Sequence, residues 1–363
     1  MDYNIQELCS KFKIEGKFIS STPFGSGHIN DTYLINTSAT RYILQRVNGT
    51  VFAKPEEVMD NIIKVTDHLF NKIYLAGGDV TRETITFLPS VDNKKYYITE
   101  QGELFRLYSF INNAKSYQKV ESPEIFCKVG KAFGKFQNML ADFPASELKE
   151  TIVDFHNTRA RYETFKSVLK ADKVNRRQTV EDEIKFILER EDKAGIIVDA
   201  MSDGSVPLRV THNDTKLNNV LVDDETGEGI CVIDLDTVMP GSMLFDYGDS
   251  IRFGASTADE DEKDLDKVSM DLELFEQFTK GYIEELKESI TPKELELLAF
   301  SAMLLTLECG LRFLTDYLDG DNYFRVQYPE QNLDRARTQL KLVSNMEEKM
   351  DIMNDIVMKY YNA

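Results

Sequence analysis

The spacing of hydrophobic and polar positions changes character once along this chain. Between Lys17 and about Asn112 it is mostly strand-like. The runs Lys17-Phe18-Ile19-Ser20, Thr32-Tyr33-Leu34-Ile35 and Tyr42-Ile43-Leu44-Gln45-Arg46-Val47 are rich in β-branched and aromatic residues, with Gly, Asn and Asp between them. Ile85-Thr86-Phe87-Leu88, Lys95-Tyr96-Tyr97-Ile98-Thr99 and the segment from Leu104 to Ile111 read the same way. Such runs predict strands. One helix interrupts them, from Pro55 to Ala76, where Val58, Ile62, Val65, Leu69 and Ile73 recur at helical spacing and should face a core. A short leading helix is expected over residues 2–13.

Past Asn112 the helical period dominates. The segment from Pro123 to Phe143 carries Ile125, Phe126, Val129, Phe133, Phe136 and Leu140 on one face. A further helix is expected from about Val180 to Lys193. The last third reads as helical from about Leu272, broken near Asp319 to Pro329. No repeat or low-complexity linker appears. The pattern predicts an α+β chain of two lobes: a small β-rich unit over 1–110 and a larger, mostly helical unit over 111–363.

Composition narrows the function classes. With 43 basic and 62 acidic residues the formal charge is −19, which disfavours nucleic acid or an anionic membrane surface as partner. Much of the acid lies in Asp259-Glu260-Asp261-Glu262 with Asp264 and Asp266 behind, which reads as a solvated loop or helix start; the sharper reading is a trap for a cationic substrate. The cysteines Cys9, Cys127, Cys231 and Cys309 are far apart and form no zinc pattern, as expected in a reducing, cytoplasmic setting. The first residues show no signal-peptide pattern, and no run of 18 consecutive apolar residues occurs, so no membrane span is expected.

The chemistry concentrates in His212-Asn213-Asp214-Thr215-Lys216-Leu217-Asn218-Asn219, followed by the apolar strands Val220-Leu221-Val222 and Cys231-Val232-Ile233 and then by Asp234-Leu235-Asp236. Asp214 and Asn219 stand at the H-x-D-x(4)-N spacing of a kinase catalytic loop. The residues between the two strands are acidic and Gly-rich, which predicts a hairpin that returns Asp234 to the side of Asn219. An Asp can orient and deprotonate a hydroxyl, and an Asn and a second Asp can hold Mg²⁺ on nucleotide phosphates. His212 is expected to orient the loop backbone. Asp236 is expected to bond the loop. Asp246 and Asp249 either cap a helix or brace the loop. The fold class this implies is a bilobal, protein-kinase-like one, binding ATP between the lobes.

Gly25-Ser26-Gly27-His28-Ile29-Asn30 lies between two strands. That context suits a glycine hairpin over phosphates rather than a dinucleotide fingerprint, which requires a following helix. Gly25 and Gly27 are therefore candidate nucleotide contacts. The next strand has no Lys where a kinase carries one. Gln45 occupies the position, and Gln45 and Arg46 must point to opposite faces. Gln45 is favoured as the residue facing the phosphates, with the cation coming from Mg²⁺ or elsewhere. Leu104 to Asn112 should be the hinge, with adenine held near Tyr108 to Ile111. Lys216 is a candidate for the γ-phosphate.

The loop HNDTKLNNVLVD, the stretch IDLDTVMPGSMLFDYGDSIRFG and the N-terminal FGSGHINDTY resemble N-acetylhexosamine 1-kinases, of the aminoglycoside-phosphotransferase-like branch of the kinase fold. The resemblance spans roughly Phe18 to Arg337. It implies ATP- and Mg²⁺-dependent phosphorylation of the anomeric hydroxyl of GlcNAc or GalNAc to the sugar 1-phosphate. Asp214 would be the base, and Asn219 and Asp234 the Mg²⁺ ligands. The anomeric hydroxyl is more acidic than an ordinary alcohol, which eases its deprotonation. The resemblance further implies sugar contacts from His28, Phe253, Arg312 and Tyr323. Some members add a Trp; this chain has none.

Residue by residue, other roles stay open. Phe253 fits a core position equally well. Arg312 could simply pair with Glu308 one helical turn before it. Two other functions also fit the chain: a kinase of another small alcohol, such as choline, homoserine or an aminoglycoside, and a binding protein that keeps the fold without turnover. A monomer acting on a small sugar and ATP is the expected form.

Overall fold

The computed structural model describes residues 3–25 and 29–363. The N-terminal part is built on one antiparallel sheet. Its strands are β1 (Phe18–Pro23), β2 (Asp31–Thr37), β3 (Arg41–Arg46), β4 (Tyr97–Ile98) and β5 (Leu104–Ser109), preceded by helix α1 (Ile5–Cys9), with helix α2 (Pro55–Leu75) inserted after β3. The spatial order is β1-β2-β3-β5-β4. Alternation along β3 and β5 sends Tyr42, Leu44, Phe105 and Leu107 to one face, where they close a small core with Leu8, Cys9 and Phe12. The opposite face carries Gln45 and Arg106, which stand directly across from one another.

The large core holds both α2 and the C-terminal helices. Val58, Ile62, Val65, Leu69 and Ile73 are all buried, as their spacing predicts. Asn61 of α2 is buried too. Its amide donates to Lys149 O and Val238 O at 2.7 and 2.9 Å and accepts from Lys149 N at 2.8 Å, which fastens α2 to the C-terminal part.

After β5 the chain runs through β6 (Ala114–Lys115) into α3 (Pro123–Met139), α4 (Thr158–Ala171), α5 (Glu181–Leu188) and α6 (Ile196–Ser202). Strands β7 (Arg209–Thr211), β8 (Val220–Asp223), β9 (Gly229–Val232) and β10 (Met239–Gly241) follow, and then helices α7 (Met243–Gly254), α8 (Leu272–Leu286), α9 (Pro292–Asp319) and α10 (Gln331–Asn362). β8 and β9 form the hairpin expected after the catalytic loop. Glycines let the helices meet closely where the site is assembled. A Cβ on Gly248 of α7 would fall 2.6 Å from Ser301 O of α9.

Several expectations need correction. The strand over 85–88 shortens to a single bridge, Phe87 to Tyr108, held against β5 by the Ser109 N–H on Thr86 O at 3.1 Å and the Leu88 N–H on Leu107 O at 2.8 Å. The strand over 95–99 shortens to Tyr97–Ile98, and the leading helix to Ile5–Cys9. The helix expected to Lys193 stops at Leu188 and continues as a 3₁₀ turn over Glu191–Gly195. The last third breaks a second time at residues 287–291, where Thr291 caps α9 in a capping box with Glu294. Helix α9 is also more apolar than its interrupted runs suggest. It contains an 18-residue window of mean hydropathy 1.7, apolar and long enough to cross a membrane, yet 83% of that window is buried inside the protein. Its polar interruptions, Ser301, Thr306 and Glu308, are themselves buried.

Candidate active site

Strand β7 leads into the catalytic loop and is anchored at its start. Arg209 makes a bidentate pair with the buried Glu294 at 2.5 and 2.7 Å. The loop itself hangs on Asp246 of α7. The backbone N–H groups of His212 and Asn213 donate to the Asp246 carboxylate at 2.9 and 2.7 Å, and Gln137 Nε2 adds a third donor at 2.6 Å. Burial raises the Asp246 pKa, and these donors and the neighbouring His212 oppose the rise. Ser242, not Asp246, caps α7, so Asp246 braces the loop. Asn213 adopts φ +66°, a left-handed conformation that Asn tolerates and most residues do not. The His212 ring packs edge-on against Phe133 and Phe136, and its Nε2 lies 2.9 Å from Ile233 O.

This scaffold presents Asp214 at the cleft. Lys216 Nζ lies 2.7 Å from Asp214 Oδ1. Asn219 Nδ2 donates to Asp214 O at 2.7 Å and Oδ2 at 3.2 Å, so its amide oxygen is the atom turned away from Asp214. The Ile233 N–H donates to Asn219 O at 2.9 Å, which sets Asp234 beside Asn219 across the base of the hairpin. Asp234 has φ +59° and ψ +56° and opens to solvent. Its setting in the cleft raises its pKa to about 6; withdrawal from bulk water leads, and the carboxylates of Asp236 and Asp214 add to it. Because the residue remains exposed, water screens part of that effect.

The residue expected to face the phosphates does not act alone. Gln45 Nε2 donates to Thr32 Oγ1 at 3.0 Å, while its Oε1 accepts from Arg106 Nε and Nη2 at 3.0 and 2.8 Å. Arg46 points to the other face, where it pairs with Asp31 at 2.7 Å and Glu103 at 3.7 Å. The cation missing from β3 is thus present on β5. Arg106 also pairs with Asp236, which takes a further bond from Asn30. Arg106 was not among the sequence candidates; a lone Arg in an apolar strand gives no signal of its partners.

Toward the hinge, Tyr108 is half-buried against Phe87, with ring centres 5.6 Å apart, and Ile111 is buried. The Phe110 N–H already donates to Arg41 O at 3.1 Å, so backbone contacts to a base would fall to the groups after it. Gly25 has φ +83°, open to Gly without strain. Gly27 and His28 lie outside the described residues.

Beyond Asp214 lies a second group of side chains. Asp249 of α7 binds Arg252 at 2.8 Å, and Arg252 reaches Glu260 at 3.3 Å. Burial pushes the Asp249 carboxyl up, but the charges of Arg252 and Lys216 outweigh it and hold the pKa below its usual value. His156 is buried, with Nδ1 2.8 Å from Glu308 Oε1 and Nε2 unpartnered. Glu308 also accepts from Thr158 at 2.6 Å. The expected Glu308–Arg312 pair is therefore absent: the carboxylate is taken by His156 and Thr158. Arg312 makes no ion pair among the described residues. Its guanidinium lies 5.9 Å from the ring centres of Phe155 and Tyr323 and 5.5 Å from that of Phe324. Half-buried Arg161 lies close by, its Nε unpartnered, and burial followed by the Arg312 charge lowers its pKa. Phe253 is 36% exposed and one turn after Asp249 on α7, so it is not a core residue. Tyr323 is 72% exposed.

The acidic run is not a free trap. Asp259 pairs with Lys119 at 2.6 Å, Asp261 accepts from Gln331 at 2.8 Å, and Glu262 lies 3.6 Å from Lys267. With Glu260 on Arg252, these acids are largely answered by local donors.

A small antiparallel sheet above a helical lobe, with a catalytic loop at the junction, defines a phosphotransferase of kinase-like fold. Residues 20–270 match the model of the phosphotransferase enzyme family, APH, and the chain belongs to that family. Solved structures of similar fold include a microcompartment-associated aminopropanol kinase, at 13% identity over 96% of this chain and 98% of that one, with a TM-score of 0.61. A choline kinase from Cryptosporidium parvum matches at 16% identity over 99% of each chain, with a TM-score of 0.58. A spectinomycin phosphotransferase, solved with ADP and spectinomycin, matches at 15% identity over 99% and 98% of the chains, with a TM-score of 0.51. At these identities the likeness speaks for the fold.

Proposed function

We propose that this chain is an ATP- and Mg²⁺-dependent kinase that phosphorylates the anomeric hydroxyl of an N-acetylhexosamine, GlcNAc or GalNAc, to the sugar 1-phosphate. The observation that carries the choice of acceptor is Arg312. Among the described residues it makes no ion pair; it stands among aromatic rings, beside a second guanidinium, Arg161. A choline, amino alcohol or aminoglycoside acceptor brings a positive charge, which these guanidiniums repel. A neutral sugar brings an acetamide carbonyl and hydroxyl oxygens, which a guanidinium can bind, and a ring face that can lie on Phe253 or Tyr323.

Asp214 is the group that orients and deprotonates the anomeric hydroxyl. Lys216, now on Asp214, is placed to shift toward an incoming γ-phosphoryl group as the hydroxyl takes over Asp214. The Asn219 amide oxygen and the exposed Asp234 carboxylate form an all-oxygen donor set, which fits Mg²⁺ shared with nucleotide phosphates. Mg²⁺ so held supplies charge neutralisation on the phosphates. We assign Gly25, Gln45, Tyr108 and Ile111 to the nucleotide and Phe253, Arg312 and Tyr323 to the sugar; Gly27 and His28, assigned to the nucleotide and the sugar by the sequence, lie outside the described residues. ADP in the spectinomycin phosphotransferase supports an adenine nucleotide as donor. We place the enzyme in the cytoplasm, as a monomer.

The test is ADP release with Mg²⁺-ATP against GlcNAc, GalNAc, their 1-O-methyl glycosides, glucose, galactose, choline, homoserine and kanamycin. Turnover of the free N-acetyl sugars without their methyl glycosides is expected. Turnover of choline, homoserine or kanamycin alone would reject the sugar in favour of another small alcohol.

A further inference from the structure

Phosphoryl transfer on this fold ordinarily relies on a strand Lys paired with a helix Glu to align the phosphates. Neither partner is present at those places: β3 offers Gln45, and α2 turns the buried Met59 toward Arg106, its Sδ 3.8 Å from Nη1. One buried carboxylate, Asp236, takes their place as a meeting point. It is 4% exposed and accepts from Arg106 of the sheet and from Asn30 at the end of the glycine loop. Asn30 in turn receives the Asn48 N–H at 3.0 Å, and Gln45 orients the Arg106 guanidinium from the opposite position in the strand register. Asp236 lies two residues past Asp234, joined to it by the 3₁₀ turn Leu235–Thr237. The glycine loop, the sheet and the metal loop thus converge on a single ion pair whose Arg is 3% exposed.

A buried ion pair rarely makes a protein more stable than apolar residues of the same size would, so its retention calls for another reason. Here the pair joins residues 130 apart in sequence, one on each lobe.

We propose that Arg106 and Asp236 form an inter-lobe latch that positions Asp234 for the Mg²⁺-bound nucleotide, doing for this chain what the strand Lys and helix Glu do in protein kinases. Arg106 is a positioning residue in this scheme: it acts through Asp236 on Asp234. The inference rests on the role proposed for Asp234 but not on the identity of the acceptor. Failure of every sugar in the panel above leaves it standing, because the test reads nucleotide binding.

Binding of a non-hydrolysable ATP analogue is measured by calorimetry with Mg²⁺ and with EDTA, on the wild type and four variants. Arg106→Met is expected to weaken Mg²⁺-dependent binding about 10–100-fold, the range usual for partners that orient a metal ligand. Binding in EDTA should change less than threefold. Arg106→Lys should keep part of the Mg²⁺ response. Gln45→Lys/Arg106→Met returns a cation to the same face and should recover affinity over Arg106→Met alone. Because Arg106→Met leaves Asp236 buried without its partner, a folded reference is included: Arg106→Met/Asp236→Leu removes both charges. That variant should fold and still show the Mg²⁺ defect. Wild-type Mg²⁺ dependence in it overturns the latch. So does an equal loss with Mg²⁺ and with EDTA, which would make the pair structural only.

Discussion

Two arginines flank Asp214 in opposite conditions, and the contrast separates the halves of the site. Arg106, on the side proposed for the nucleotide, is nearly inaccessible and fully engaged by Gln45 and Asp236. Arg312, on the side proposed for the acceptor, is half-buried, has three aromatic rings 5.5–5.9 Å from its guanidinium and makes no ion pair among the described residues. A paired, dehydrated cation is part of the built structure and holds other groups in register. A cation left without a counter-charge keeps its donors for a ligand. On the proposed assignment, the nucleotide half is held by contacts within the protein, whereas the acceptor half keeps donors for its ligand.

The largest expected effect falls on the group between the two. Asp214→Asn should lower kcat by at least 10²–10⁴-fold, as loss of a positioned base does, with nucleotide affinity within about threefold of wild type. Single-turnover kinetics beside a binding titration checks both numbers. Turnover within tenfold of wild type would remove Asp214 from that role.

The contrast between the arginines should then appear in stability. Arg106→Met strands the buried Asp236 carboxylate and should cost about 3–5 kcal/mol in denaturant unfolding. Arg312→Met strands no carboxylate and should stay within about 0.5 kcal/mol, while raising KM for the sugar about tenfold and leaving KM for ATP alone. A stability loss for Arg312→Met comparable to that of Arg106→Met would erase the distinction.

Acid should affect the nucleotide half first. Asp234 has its pKa raised to about 6, so the ionised form proposed to bind Mg²⁺ is depleted as pH falls through that value. Mg²⁺-dependent nucleotide affinity should drop between pH 7 and 5. In the absence of metal the sign reverses for stability. The raised pKa favours folding below the unfolded carboxylate value, and that gain is lost as pH rises through about 6. Asp234→Asn should therefore be at least as stable as wild type at pH 8 without Mg²⁺. A pH-independent Mg²⁺ affinity over this range would count against Asp234 as the ligand.

The smallest effect concerns the acidic run. Glu260→Gln loosens a partly exposed contact to Arg252 while Asp249 continues to hold that arginine, so unfolding free energy should move by no more than about 0.5 kcal/mol. The acceptor preference should not change. A gain of turnover on neutral over cationic acceptors would restore the acidic run to substrate selection.

How much of this was legible in the sequence depends on the distance over which each feature is decided. The hairpin after Asn219 was legible, since apolar strands and a Gly-rich turn are adjacent in sequence, and from it the approach of Asp234 to Asn219. The helical face of α2 was legible from its period. The residues at 85–88 suit a strand and do lie against β5, but that the pairing stops at one bridge is set by the rest of the lobe. The burial of α9 was only half legible: its polar residues interrupt the apolar run, but their partners lie elsewhere in the fold.

The sequence by itself determined the two-lobe division and the catalytic loop with its spacing. It also showed that β3 lacks a Lys. These are properties of neighbours in the chain, which act through backbone geometry and period. Which strand carries the buried cation beside Gln45, which carboxylate braces the loop and which arginine has no ion pair among the described residues were settled by tertiary contacts. Asp246 reaches the loop across 33 and 34 residues, and Arg106 meets Asp236 across 130. Glu308 turns to His156, 152 residues away, rather than to Arg312 one turn along its own helix. A charge takes the partner that best offsets its desolvation, and inside a core that partner is chosen by packing, which no local pattern records.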